Sequence, residues 1–198
     1  MTSSGSSGLR RVLGAAPVIA ALIALAGCGG GASQDADEPR GTYTAEITQA
    51  SFPPLQGLGQ TSRMRVTVRN AGRETIPDVA LTVDGLAARE AQPDAMDASR
   101  PIWVIDLGPV GGKTAYVNTW ALGPLAAGRE RTFTFVLTAM TAGTHLVRYR
   151  VGAGLNGNAI ARTPADTVPE GSFTVRITRR PRVSSVNPRT GAVIHRAP

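Results

Sequence analysis

The chain predicts an all-β fold, an immunoglobulin-like antiparallel β-sandwich of about 7–9 strands, and three observations carry that expectation. First, apolar residues recur with period 2: Met64, Val66 and Val68 alternate with Arg63, Arg65, Thr67 and Arg69, and alternate side chains of a strand point to opposite faces. Second, turn residues interrupt the pattern at short intervals. Third, no stretch beyond Cys28 repeats its apolar residues at helical spacing. Strands with one wet face must cover the other, and two stacked sheets do so without helices.

Taken in order, residues 1–27 read as an export signal. Arg10 and Arg11 precede an apolar run from Val12 to Ala26, which ends in Leu25-Ala26-Gly27-Cys28. The run is 15 residues long, whereas crossing the hydrocarbon core takes about 20. The pattern resembles the bacterial lipoprotein signal, or lipobox. That resemblance implies cleavage before Cys28, covalent lipid on Cys28 and an anchor in the cell membrane facing outside the cytoplasm; no cofactor besides that lipid is expected. Ala24-Leu25-Ala26 also fits the small-x-small site of an ordinary secretory signal, whose cleavage would release a soluble protein. Residues 28–40 are small and polar, too poor in apolar surface to fold, and read as a flexible tether reaching roughly 20 Å.

The sandwich is expected over residues 41–178. Its strands are Tyr43–Phe52, Arg63–Arg69, the Val79/Leu81/Val83 segment, Ile102–Leu107, Thr114–Leu122, the Phe133/Phe135/Leu137 segment, the His145/Val147/Tyr149/Val151 segment and the Phe173/Val175/Ile177 segment. Asn156-Gly157, a dipeptide suited to positive φ, predicts a hairpin from the strand ending at Val151 to a short one near Ala159. Asp84–Pro101 is the longest interruption. It reads as a solvated loop whose Glu90, Asp94 and Asp97 lack the D-x-D-x-D-G spacing of a calcium loop, and as a candidate partner surface. Residues 179–198 read as a basic, disordered tail able to lie on anionic lipid or wall polymer.

Four runs carry a second resemblance: Arg65-Val66-Thr67-Val68-Arg69-Asn70-Ala71-Gly72, Ile76-Pro77-Asp78-Val79, Leu125-Ala126-Ala127-Gly128-Arg129-Glu130-Arg131-Thr132-Phe133 and Ala142-Gly143-Thr144-His145. They are similar to exported bacterial Ig-like domains of the cell-adhesion-related (CARDB-like) kind. The resemblance implies surface display, adhesion or scaffolding. Only one copy is present, unlike the tandem arrays common in that family.

Charge narrows the partners. The sequence has 21 basic and 14 acidic residues, a formal +7, yet six of the arginines stand at 176 and beyond, where no acidic residue occurs. Residues 28–175 sum to −1, so the body lacks the basic face that nucleic-acid binding requires. With a single Cys, neither an internal disulfide nor a thiolate metal site can form.

Motifs for catalysis fail on spacing. Leu107-Gly108-Pro109-Val110-Gly111-Gly112-Lys113-Thr114 has Leu where a P-loop begins with Gly, and a strand follows it where a helix is needed. His145 shares a face with Val147 and Tyr149, no G-x-S-x-G accompanies it, and the second His, His195, lies in the basic tail. No enzyme is expected, and no metal. Tyr116, Asn118 and Trp120 fall on one face of the expected 114–122 strand, which allows sugar stacking, but the favoured reading makes Tyr116, Trp120 and Leu122 the core face, since large aromatics dominate burial in small domains; Trp103 carries the same ambiguity. The expected partner is an exported protein, with a wall polysaccharide bound by exposed aromatics as the alternative.

Overall fold

The computed structural model describes residues 37–91, 96–181, 184–186, 188–191 and 193–195, all within the second of two compact units, Ser33–Pro198. The signal segment, Cys28 and Asp94 lie outside the described residues. Among these residues there is no helix. The strands are β1 (Gly41–Ser51), β2 (Leu55–Gly57), β3 (Thr61–Asn70), β4 (Ala80–Asp84), β5 (Arg89–Ala91), β6 (Ser99–Pro101), β7 (Trp103–Leu107), β8 (Lys113–Tyr116), β9 (Thr119–Ala121), β10 (Glu130–Ala139), β11 (Gly143–Gly152), β12 (Ala159–Arg162), β13 (Glu170–Thr178), β14 (Ser184–Val186) and β15 (Val193–His195).

A five-stranded sheet, β12-β1-β3-β10-β7, and a six-stranded sheet, β2-β13-β11-β4-β9-β8, form the sandwich. Pairing is antiparallel except at β1/β12 and β2/β13, which are parallel. Alternation in β3 is reproduced: Met64, Val66 and Val68 are fully buried while Arg63, Arg65 and Arg69 are exposed. Thr67, on the outer face, shares a hydroxyl hydrogen bond of 2.9 Å with Thr132 of β10. Facing residues Phe133, Phe135, Leu137, Leu81, Val83, Val147 and Val175 complete a core without solvent contact.

Five expectations are corrected. The 114–122 strand is a hairpin: β8 and β9 pair with each other across a turn at Val117-Asn118, where Asn118 takes φ 61°, a conformation Asn tolerates better than most residues. Splits of this kind raise the strand count above 7–9. β12 does not pair with β11; it crosses to the other sheet and runs parallel to β1, Gly41 opposite Ala159. Within Asp84–Pro101, β5 and β6 form a small hairpin. The 179–198 segment carries a further two-stranded hairpin, β14 with β15, its turn including Gly191 at φ +67°.

The fifth correction concerns Glu38, placed by sequence in the tether. Its carboxylate accepts hydrogen bonds of 2.6 Å from the backbone N–H groups of Leu155, Asn156 and Ala159, filling the concave arch that follows β11. Gly154 permits this, because a Cβ there would run into the carboxylate. Burial pushes the Glu38 carboxyl up, but the N–H groups of Asn156, Ala159, Leu155 and Asn158 outweigh it, and the group titrates below its ordinary value. Its contribution is therefore complete above the ordinary carboxylate range and is lost as pH falls through the depressed value. Glu38→Ala is expected to cost about 1–3 kcal/mol at neutral pH, with the difference from wild type shrinking in acid. Urea melts at several pH values measure both.

Asn70 closes the opposite side of the same end. Its Nδ2 donates to the carbonyls of Glu74 (2.7 Å) and Leu125 (2.8 Å), and its Oδ1 accepts from the N–H of Gly72 (3.0 Å). A completely buried side chain thereby ties the turn after β3 to the segment before β10, beside the Ile76–Leu125 bridge.

Candidate functional site

The two tryptophans belong to the core. Trp103 is 1% exposed, and its Nε1–H donates to Gln56 Oε1 at 2.9 Å. Gln56 Nε2 in turn donates to the Pro53 carbonyl at 3.1 Å. Phe52 and His145 pack on the Trp103 ring, each with centroids 5.6 Å away. Trp120 is 8% exposed and meets Phe135 edge-on, 4.8 Å between centroids.

Splitting the 114–122 segment into a hairpin separates the residues expected to share a face. Asn118 occupies the turn, and its carbonyl accepts from Val83 N–H at 2.8 Å. Of the three, Tyr116 is the most open, half-exposed beside Val117 at the outer edge of the six-stranded sheet, while Asn118 is partly buried and Trp120 is in the core. These residues do not converge on a sugar-stacking platform.

His145 is sealed into the same cluster as Trp103. Its Nε2 lies 3.0 Å from the Thr141 carbonyl. Its Nδ1 has no hydrogen-bond partner and stands 3.5 Å from Glu90 Oε1, an approach that becomes an ion pair only on protonation of the ring. A general base must reach a proton on a substrate, and this ring is turned inward.

On the β5–β6 hairpin, Asp97 Oδ1 accepts from Ser99 N–H at 3.0 Å, and Arg89 Nη1 donates to the Ser99 carbonyl at 2.8 Å. Asp97 thus shapes its own turn, and Met96 beside it is fully exposed. Among the described residues, no three His, Cys, Asp or Glu side chains gather as a metal site would require. The P-loop-like glycines form the turn between β7 and β8, with Gly111 at φ +75° and Gly112 N–H donating to the Pro109 carbonyl at 2.9 Å.

One concavity was not anticipated. Where β11 begins and β13 ends, Ala142–Thr144 and Arg176–Arg180 line a cleft of about 550 Å³. Arg176, Arg179 and Arg180 are exposed along it, and Ile177 is buried beneath. The only sequence signal was the acid-free run after Glu170.

No protein-family model matches the chain. No curated protein matches it. Among solved structures, it is similar to the CARDB domain of a Pyrococcus furiosus protein, determined in complex with di-metal ions, at 18% identity and a TM-score of 0.41 over 68% of this chain and 86% of that one. It is also similar to native alpha-2-macroglobulin from Escherichia coli, at 15% identity and a TM-score of 0.40 over 76% of this chain and 21% of that one. A beta-glucosidase from Listeria innocua in complex with glucose aligns at 18% identity and a TM-score of 0.33, over 70% of this chain and 16% of the enzyme.

Proposed function

We propose that this chain is an exported, lipid-anchored binding or scaffolding module without enzymatic activity, working at the bacterial cell surface. The observation that carries the reading is Cys28, the sole cysteine, at the end of Leu25-Ala26-Gly27-Cys28 behind an apolar run and two arginines. Two acyl chains at ~0.8 kcal/mol per buried CH₂ anchor a protein stably. The engagement of Glu38 with the arch after β11 starts the fold ten residues after Cys28, which supports a domain riding close to the bilayer. The non-enzymatic reading is supported by His145, whose imidazole is spent inside the core. Binding then falls to the ends of the sandwich, where loops lie, and the β5–β6 hairpin with exposed Met96 is one such surface. The polysaccharide alternative loses Trp103 and Trp120 to the core and keeps Tyr116 as its half-exposed aromatic.

Cys28→Ser tests the anchor. The variant is expected to leave the membrane fraction while keeping the circular-dichroism signature of the sandwich, and wild type is expected to carry acyl mass on Cys28. A Ser variant that still partitions with membranes, together with no acyl mass on wild type, overturns the reading.

A further inference from the structure

We propose that the cleft between the start of β11 and the end of β13 binds a phosphate-bearing anion through Arg176, Arg179 and Arg180. On the outer face of the same sheet, other arginines have acidic neighbours in register: Arg148 lies opposite Asp84, and Arg150 opposite Glu170. Arg176 instead lies between Thr144 and Leu55. Among the described residues, no carboxylate comes within 4.0 Å of any of the three guanidinium groups, and the sequence from Gly171 to the end contains no acid. Three positive charges thus share one cleft with no counter-ion among the described residues.

The arginines are also placed by the fold. The single Thr178 hydroxyl proton is shared between the carbonyls of Gln56 and Arg180, at 3.3 and 3.2 Å, and Thr178 O accepts from Leu58 N–H at 3.0 Å. The backbone bearing Arg179 and Arg180 is therefore tied to β2 and its following turn. That anchoring fixes where the side chains of Arg179 and Arg180 leave the backbone, and each guanidinium offers a planar fork to anionic oxygens. Three forks suit the several oxygens of a phosphate group, whereas a carboxylate satisfies one. A cleft of about 550 Å³ holds such a group with part of what carries it.

The cleft's position favours a polymer over the anchoring membrane. β11 leads away from the cleft for ten residues, roughly 33 Å, to the arch that grips Glu38. The chain thus reaches the sandwich at one end and presents the arginines at the other. This ligand rests on the binding-module reading for its setting, but the two fail separately, since loss of membrane retention reports on Cys28 alone.

The test uses the full-length protein in neutral detergent, with inorganic polyphosphate, polyglutamate, and dihexanoyl phosphatidylglycerol below its micelle concentration as probes. Replacing Arg176, Arg179 and Arg180 with Ala is expected to weaken polyphosphate binding at least tenfold. Replacing Arg63, Arg65 and Arg69, which removes the same charge from the other sheet, is expected to change it less than twofold. Thr144→Glu, which sets a carboxylate opposite Arg176, is expected to mimic the first loss with every arginine retained. Competition by the phosphatidylglycerol would assign the phosphate to a headgroup and its absence to a polymer, both consistent with the cleft. Equal losses in the two triple variants, or polyglutamate bound as tightly as polyphosphate, would overturn the proposal.

Discussion

Asn70→Asp is expected to destabilise the domain by about 3–5 kcal/mol, more than Asn70→Ala at about 2–4 kcal/mol. The substitution keeps the shape of the side chain and removes its donors. Nδ2 serves two carbonyls, those of Glu74 and Leu125, and a carboxylate oxygen placed there would repel both inside a site with no solvent exposure. The Ala variant loses the same bonds and leaves the N–H of Gly72 unpaired, but buries no charge. Burial beside carbonyl oxygens raises the carboxyl pKa of the Asp variant. Its extra penalty is thus present at neutral pH and relieved as pH falls through that raised value. Urea melts of the two variants at neutral and acidic pH decide the matter. An Asp variant as stable as wild type at neutral pH would mean that Asn70 fills space rather than ties the turn.

That corner also shows how far the sequence could be read. The alternation of Met64, Val66 and Val68 predicts the buried face of β3, because a period of 2 is a local property of the chain. The same holds for Phe133, Phe135 and Leu137 in β10 and for Val147, Tyr149 and Val151 in β11. What each strand pairs with is not local. Ala159 and Ala161 fit equally well beside β11 or β1, and the structure places them beside β1. The hairpin β8–β9 stayed hidden because Thr114–Leu122 keeps its alternation through a turn made by Asn118 without glycine. β5 and β6 have only three residues each, Arg89-Glu90-Ala91 and Ser99-Arg100-Pro101, and offer no apolar period at all.

For the candidate sites the limit was the same. Glu38 reads as part of a polar linker, since its partners lie more than a hundred residues away. Tyr116, Asn118 and Trp120 share a face only if the segment is one continuous strand. The acid-free arginine run is visible in sequence, but its gathering around Gly143 and Thr144 depends on β13 pairing with β11.

Trp103→Ala is expected to cost about 3–5 kcal/mol, the range for emptying a large aromatic site in a packed core. More than volume is at stake there. Trp103 sits on the edge strand β7 of one sheet, and its indole N–H reaches Gln56 of β2 in the other, so a single hydrogen bond spans the sandwich. Trp103→Phe keeps most of the apolar contact and leaves Gln56 Oε1 buried without a donor, for an expected loss of about 1–3 kcal/mol. Adding Gln56→Leu to Trp103→Phe removes the orphaned acceptor together with its lost partner. The double variant is therefore expected to lose less than the sum of the two single losses, a coupling measurable by urea melts in a double-mutant cycle. His145 lies between Trp103 and the start of β11: its ring packs on Trp103, and a Cβ at Gly143 would stand 3.0 Å from that same ring. Additive losses would show that the Trp103–Gln56 bond contributes nothing beyond the packing of each side chain.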